Sequence, residues 1–406
     1  MAVGRDARAA GPPYAQQGAP TGASGAFFGY SVALDGATAV VGAMGDNGGL
    51  GAAYVYTRSG SAWTLQQELT AADGASNDQF GYAVAVSGDT ALIGADGKGS
   101  GQGYVYAFVR SGTAWSLQQE FTSSDGASND CFGCALGLSG TTAVIGAPGR
   151  LGGTGAAYVF TSSGTWTQQQ ELLGSGSTDS FGFSVAASPD GSAAVVGAFG
   201  VATETGRAYV FTRNGTWSQA PTQATLAAAD GAVHDRFGYS VGAGAGTALV
   251  GAYGNSGKGA AYVFSGSGAS WALQSKLVAS DGAAGDLFGA SVSLGGNTAV
   301  VGAYEKPTTN GPGAAYVFTN TGGAWAQSVV APSPPAPYFG YAVAASGTTA
   351  VVGAFGASND NGAAYFFAPS AALAPAIDGW AALALALALA AVGVSVGRPR
   401  GGSAAT

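Results

Sequence analysis

Charge is scarce in this 406-residue chain: Asp, Glu, Lys and Arg together make up 9% of it, and the net charge is −8. An acidic chain with no basic stripe and no aromatic-basic platform does not suit nucleic acid, which is held through Lys and Arg on phosphates. Cysteine is almost absent. The two present, Cys131 and Cys134, cannot build a disulfide framework and do not fix the compartment. They form a Cys-x-x-Cys with no second ligand pair for zinc. Their odd spacing on a strand predicts opposite faces, so both are read as free thiols. There is one histidine, His234. A Ser-His-Asp or Cys-His arrangement has to be built around it, yet it sits at a variable spot in a repeated loop, which marks a surface residue. Residues 1–17 carry Arg5 and Arg8 but no apolar core, so no signal peptide is read there.

Glycine and aromatic rings are abundant. The 71 Gly follow no Gly-X-Y period, which excludes collagen. Hydrophobic residues make up 47% of the chain, whereas disorder goes with low hydrophobicity and high charge. The organising feature is a repeat of about fifty residues. Its Phe-Gly pairs are Phe28-Gly29, Phe80-Gly81, Phe132-Gly133, Phe181-Gly182, Phe237-Gly238, Phe288-Gly289 and Phe339-Gly340. Each is followed by a Gly-Ala pair: Gly42-Ala43, Gly94-Ala95, Gly146-Ala147, Gly197-Ala198, Gly251-Ala252, Gly302-Ala303 and Gly353-Ala354. In the unit from Phe80 to Cys131, four apolar or alternating runs are separated by Gly, Ser and Asn turns. Four short strands in a unit of this size predict one propeller blade. The first strands should line the centre, and the fourth, which carries Gln and Glu, should face solvent.

Seven units predict an all-β, seven-bladed propeller of four-stranded blades. Third-strand tyrosines are expected at Tyr54, Tyr104, Tyr158, Tyr209, Tyr262, Tyr316 and Tyr365, and fourth-strand tryptophans at Trp63, Trp115, Trp166, Trp217, Trp271 and Trp325. The last unit has no tryptophan. Tyr14-Ala15-Gln16-Gln17 is similar to Trp63-Thr64-Leu65-Gln66-Gln67, so Tyr14 to Ala19 is expected to supply the outer strand of the last blade. The domain reading is 1–27 as that closing segment, 28–370 as propeller, 371–379 as linker, 380–396 as a transmembrane helix and 397–406 as a short basic tail.

These units resemble the FG-GAP repeat of integrin alpha-chain propellers, and Gly146-Ala147-Pro148 completes the sequence that names it. The fuller pattern looks most like the calcium-free subtype of bacterial and algal surface proteins. The resemblance covers about residues 14 to 368. It implies a propeller that is extracellular and serves binding or adhesion. Integrin-like repeats carry an Asp-x-Asp-x-Asp-Gly calcium loop between the first two strands. Here that place is held by stretches such as Ser87-Gly88-Asp89 and Ser139-Gly140-Thr141, too poor in oxygen ligands for Ca²⁺. No cofactor or metal is therefore assigned.

Trp380 to Val396 is an uncharged apolar run followed by Arg398 and Arg400. At about 1.5 Å per residue it spans roughly 25 Å, near the lower limit for a membrane helix. A buried soluble helix is the alternative. Pro375, Ile377 and Trp380 resemble the start of an IPTL-type bacterial sorting tail, which a plain single-pass anchor explains equally. The arginines favour a cytoplasmic tail and an outside propeller.

Acid pairs recur before the Phe: Asp73 and Asp78, Asp125 and Asp130, Asp230 and Asp235, Asp281 and Asp286. Such carboxylates can hold a cation, but an Asp before a strand more simply satisfies turn N–H groups. The loops between second and third strands vary most, and variable loops on a repeated scaffold are where binding lives. The ligand-binding candidates are therefore Asp46, Asn47, Lys98, Arg150, Glu204, Asn255, Glu305, Lys306, Asn359 and Asp360. Asn214 begins a glycosylation sequon, Asn214-Gly215-Thr216. No acid, His or Tyr cluster peculiar to one blade stands out, so an enzyme is not expected. The reading is a membrane-anchored cell-surface module for adhesion or recognition, with an extracellular protein or glycan as partner. A structural coat protein and a glycan-active enzyme are the alternatives.

Overall fold

The computed structural model describes residues 14–174, 179–217, 220–306 and 311–370. Its strands form seven four-stranded antiparallel sheets, six of them meanders of consecutive strands. The blades are numbered here by their first strands: Ser31–Asp35, Phe80–Ser87, Ala135–Ser139, Ser184–Ala187, Ser240–Gly244, Ser291–Gly295 and Ala342–Ser346. Second strands such as Thr38–Ala43 and Thr142–Ala147 are buried at every residue. Neighbouring blades cover both of their faces, so the sequence there is continuously apolar rather than alternating.

The core lies between blades. Val40, Val55 and Leu69 of blade 1 pack with Phe80, Ile93, Tyr106, Phe108 and Trp115 of blade 2. Phe28, Val41 and Tyr56 of blade 1 pack with Val351 and Phe366 of blade 7, which closes the ring.

The Phe-Gly and Gly-Ala pairs are the lock between blades. All seven Phe side chains are at most 1% exposed. Each following Gly has a φ between 85° and 96°, a left-handed region that a side chain disfavours. The Gly238 N–H donates to the Gly251 carbonyl of its own blade at 3.0 Å. Its carbonyl turns back onto the previous blade, where a Cβ placed on Gly197 would lie 2.0 Å from it. The Ser184 hydroxyl donates to that same carbonyl at 3.0 Å. The contact recurs from Ser31 to Gly81 at 2.8 Å and from Ser291 to Gly340 at 2.7 Å.

The ring closes through Tyr14–Gly18, which pairs with Ala363–Pro369 as the outer strand of blade 7. Gln16 lies opposite Phe367, as Gln168 lies opposite Phe160 and Gln327 opposite Phe318. Each of the three accepts a hydrogen bond from a backbone N–H just past the previous blade: Ser333 to Gln16 at 3.0 Å, Ser124 to Gln168 at 3.0 Å and Ser280 to Gln327 at 3.1 Å.

Two expected positions shift. In blade 2 the structural equivalent of Tyr54 and Tyr158 is Tyr106, not Tyr104, because Ile93 pairs with Tyr106 as Val41 pairs with Tyr54. Counting from the Gly at the start of each strand would have shown it. Trp217 precedes the outer strand of blade 4, which runs from Thr222 to Leu226. Pro221, with no N–H to donate, stands directly before that strand. Trp217 is nonetheless buried and donates from Nε1 to the Gly191 carbonyl at 3.0 Å. The expected membrane span 380–396 lies outside the described residues. Among the described residues no helix is long and apolar enough to cross a membrane.

Candidate functional site: the aromatic mouth of the channel

A Phe-Gly pair leads into each first strand, in blade 2 as its first two residues, and a Gly-Ala pair ends each second strand. The residues just after both pairs therefore gather at one end of the ring, together with the variable loops. After Phe-Gly come Tyr30, Tyr82, Cys134, Phe183, Tyr239, Ala290 and Tyr341; after Gly-Ala come Met44, Asp96, Pro148, Phe199, Tyr253, Tyr304 and Phe355.

The loop residues expected to bind are largely engaged with the protein itself. Lys98 pairs with Asp73 and, at 2.8 Å, with Glu120. Arg150 pairs with Asp125 and lies 3.8 Å from Asp130 and 3.9 Å from Glu171. Lys306 lies 3.2 Å from both Asp281 and Asp286. Asn255 donates to Asp235 at 2.8 Å and accepts from Lys276 at 2.7 Å. Asp46 accepts from the Tyr54 hydroxyl and from the Asn47 N–H. Glu204 holds Arg236 at 2.7 Å and the exposed His234 at 3.0 Å. Asn359 and Asp360 shape their loop with φ of 61° and 63°, and the Asp360 carbonyl accepts from the Phe27 N–H. Glu305 also has an interaction within the protein. Asn214 is exposed.

The recurring acid pairs divide their work. The second acid caps a turn: Asp78, Asp130, Asp235 and Asp286 accept from the N–H of Ala75, Ala127, Ala232 and Ala283 at 2.8–2.9 Å. The first acid accepts from the third-strand tyrosine of the next blade. Tyr106 bonds Asp73 at 2.9 Å, Tyr158 bonds Asp125 at 3.0 Å, and Tyr262 and Tyr316 bond Asp230 and Asp281 at 2.8 Å. Each first acid also meets a base: Lys98, Arg150, Lys276 or Lys306. The Lys98 hydrogen bond holds Asp73 below the usual carboxylate range, and the Lys276 hydrogen bond does the same for Asp230.

The channel mouth is different, because its side chains face a cavity of about 450 Å³. Tyr30, Tyr82, Phe183, Tyr239, Tyr304 and Tyr341 line it. The rings form two arcs. In one, Tyr30 stands 5.2 Å from Tyr82 and 5.0 Å from Tyr341, which stands 5.3 Å from Tyr304. In the other, Phe183 stands 4.8 Å from Tyr239, which stands 4.6 Å from Tyr253. Burial pushes the phenols of Tyr30, Tyr82, Tyr239, Tyr304 and Tyr341 above their ordinary value, so they remain protonated donors. The cavity walls continue into first-strand aliphatics such as Val84, Val185 and Val292. A concave apolar pocket with a few hydroxyls is the usual form of a ligand site. Composition hinted at this mouth through its aromatic count, but the position after Phe-Gly was read only as part of a strand.

Between the arcs, at blades 2 and 3, rings give way to Asp96, Cys131 and Cys134. The two cysteines do not point to opposite faces. They precede the strand Ala135–Ser139, and the Cys134 N–H donates to the Cys131 carbonyl at 3.1 Å. With Cys131 at φ +57° and Gly133 at φ +92°, the four residues make a turn, to which strand alternation does not apply. Both cysteines are free. One ligand atom from each of Asp96, Cys131 and Cys134 lies within 4.8 Å of the others. Burial raises the Asp96 carboxyl to about 6.

Fold and site together define a closed seven-bladed β-propeller with an aromatic-lined pocket on its loop-bearing face. The FG-GAP repeat matches residues 18–56, 63–108, 115–160, 166–211, 217–264, 271–318 and 336–367, and the chain belongs to that family. No curated protein matches it. Among solved structures, the crystal structure of Saccharomyces cerevisiae Sqt1 is similar at 11% identity, over 86% of this chain and 98% of that one, with a TM-score of 0.46. So slight a likeness carries no argument about function.

Proposed function

We propose that this chain is a non-catalytic recognition module, displayed outside the cell, that binds an extracellular protein or glycan for adhesion. The observation that carries the reading is the aromatic mouth, whose tyrosines and phenylalanine line a cavity of about 450 Å³. A cavity of that volume falls in the range of small-molecule pockets and suits a short run of sugar units, or a side chain on a protein loop, rather than a whole protein surface. Aromatic faces supply large contact area at low entropic cost, and phenol hydroxyls supply orientation. The variable loops beside the mouth then act mainly as its supports, since their charged groups are engaged with neighbouring blades. Display at the surface rests on the apolar run 380–396 and on Arg398 and Arg400 after it.

The test is binding of the full chain, in detergent, to panels of glycans and surface proteins. Tyr239→Ala and Tyr341→Ala each remove one ring from opposite arcs. A buried aromatic at the centre of an interface is worth about 2 kcal/mol, so each change should weaken binding roughly thirtyfold. Binding that survives both changes but is lost when the loops 46–49 and 357–360 are replaced by Gly-Ser would move the site from the mouth to the loops. Protease shaving of intact cells, following propeller and tail separately, tests the orientation.

A further inference from the structure

We propose that Asp96, Cys131 and Cys134 form a binding site for a thiophilic divalent cation, of which zinc is the type, in the wall of the channel mouth between blades 2 and 3. The first argument is coincidence of exceptions. The chain has only two cysteines. They occupy the positions held by Gln79 and Tyr82 in blade 2, and Asp96 occupies a position held by Met, Pro or an aromatic in the other blades. Two departures from the repeat, Cys134 and Asp96, meet at one point with Cys131, whose position varies from blade to blade, and all three side chains can bind metal.

The second argument is geometry. The Phe132-Gly133 turn brings both thiols to one side, and Asp96 approaches from the adjoining blade. A tetrahedral zinc with Zn–S of about 2.3 Å and Zn–O of about 2.0 Å needs ligand atoms roughly 3.5–3.8 Å apart. The Cys134 Sγ stands 3.8 Å from the Asp96 Oδ2. All three ligand atoms lie within 4.8 Å of one another, a spacing that small side-chain rotations close to tetrahedral edges.

The third argument is an unmet demand. The Asp96 Oδ1 is buried and has no hydrogen-bond partner. A buried acceptor left unpaired is costly, and a cation bound beside it removes that cost. A disulfide between Cys131 and Cys134 would leave this oxygen unexplained. Three protein ligands leave a fourth position, and because Cys131 and Cys134 line the cavity, it opens toward the mouth. Water, or an oxygen of whatever enters the mouth, completes the shell. Binding replaces thiol protons by the metal and changes no oxidation state.

The experiment titrates the full chain, kept reduced with a phosphine, with Co²⁺ alone. Stoichiometric thiolate-to-cobalt charge-transfer absorption in the near ultraviolet, displaced by Zn²⁺, is the expected result. Asp96→Asn keeps the shape of the side chain, and Cys131→Gln installs the residue that blade 2 carries at that position. Since loss of even an outer-shell partner costs about 10- to 100-fold in metal affinity, each should weaken binding by at least that range. Zn²⁺ should raise the melting temperature of the parent and of neither variant. The proposal is overturned if the reduced parent shows no charge-transfer band, or if Asp96→Asn binds Co²⁺ as tightly as the parent. It is also overturned if both variants melt like the parent and gain equally from Zn²⁺.

Discussion

Gly197→Ala isolates the contact on which the repeat is built. Gly197 lies in the strand Ala193–Ala198 and has an ordinary backbone conformation, so alanine fits its dihedrals. Restricting the unfolded chain would favour folding by about 0.4–1 kcal/mol. Against this, the new Cβ would stand 2.0 Å from the Gly238 carbonyl oxygen and 2.3 Å from the Ser184 Oγ. Real Cβ atoms essentially never come within 3.0 Å of such atoms, so the blades must part. The carbonyl cannot swing away, because the Gly238 N–H is fixed to Gly251 at 3.0 Å. Forced overpacking costs about 1–3 kcal/mol. Loss of the Ser184 hydrogen bond adds about 1 kcal/mol. The steric side wins, for a net loss of about 1–3.5 kcal/mol. Urea denaturation followed by tryptophan fluorescence reads it as a lower midpoint at constant slope. Gly36→Ala is the control: its φ is +55° and nothing lies within 4 Å, so only backbone strain of about 1 kcal/mol is at stake. If Gly197→Ala proves as stable as the parent, or less damaging than Gly36→Ala, the motif is not a lock between blades.

Removing residues 1–19 should lower the melting temperature sharply, because it strips the outer strand from blade 7 and leaves an open edge; an unchanged melting temperature would refute closure by that strand. Arg150→Leu should cost about 1–2 kcal/mol in urea titrations, less than a fully buried pair, because Asp125 and Glu171 are about a third exposed. Acid should weaken the ring. Asp73 and Asp230 titrate lower in the folded protein, held there by Lys98 and Lys276. The folded state therefore binds fewer protons than the unfolded one. The stability they contribute is present above the unfolded value of about 3.9 and is lost as pH falls through the folded values. Lys98→Met should flatten the acid limb of a stability-against-pH curve, and an unchanged limb would show the pair to be idle.

The architecture could be read from residues alone because it repeats. Seven copies of Phe-Gly and Gly-Ala in register specify seven identical packing units, and a unit with both faces apolar has no stable partner except another copy of itself. Even the closing strand is signalled, since Gln16-Gln17 repeats the polar pair of the outer strands of blades 1 to 3. In blade 2 two tyrosines stand two residues apart; the distance from Gly103 already singles out Tyr106, and the pairing of Ile93 with Tyr106 agrees. The site was less legible, for a physical reason. A residue's repeat position says which end of the blade it occupies, but not which side chains from other blades converge there. Lys98, Arg150 and Lys306 look like free loop charges in the sequence, and the fold sets against each the aspartate about 25 residues upstream of it, Asp73, Asp125 or Asp281. Tyr30 and Tyr341 are more than three hundred residues apart in sequence, and ring closure sets them 5.0 Å apart. Cys131 and Cys134 looked divergent by strand alternation, and only a left-handed turn brought them together with Asp96. Periodic packing is a local property repeated along the chain, so one chain suffices to reveal it. A pocket made where seven blades meet is non-local and exists only once the ring is closed.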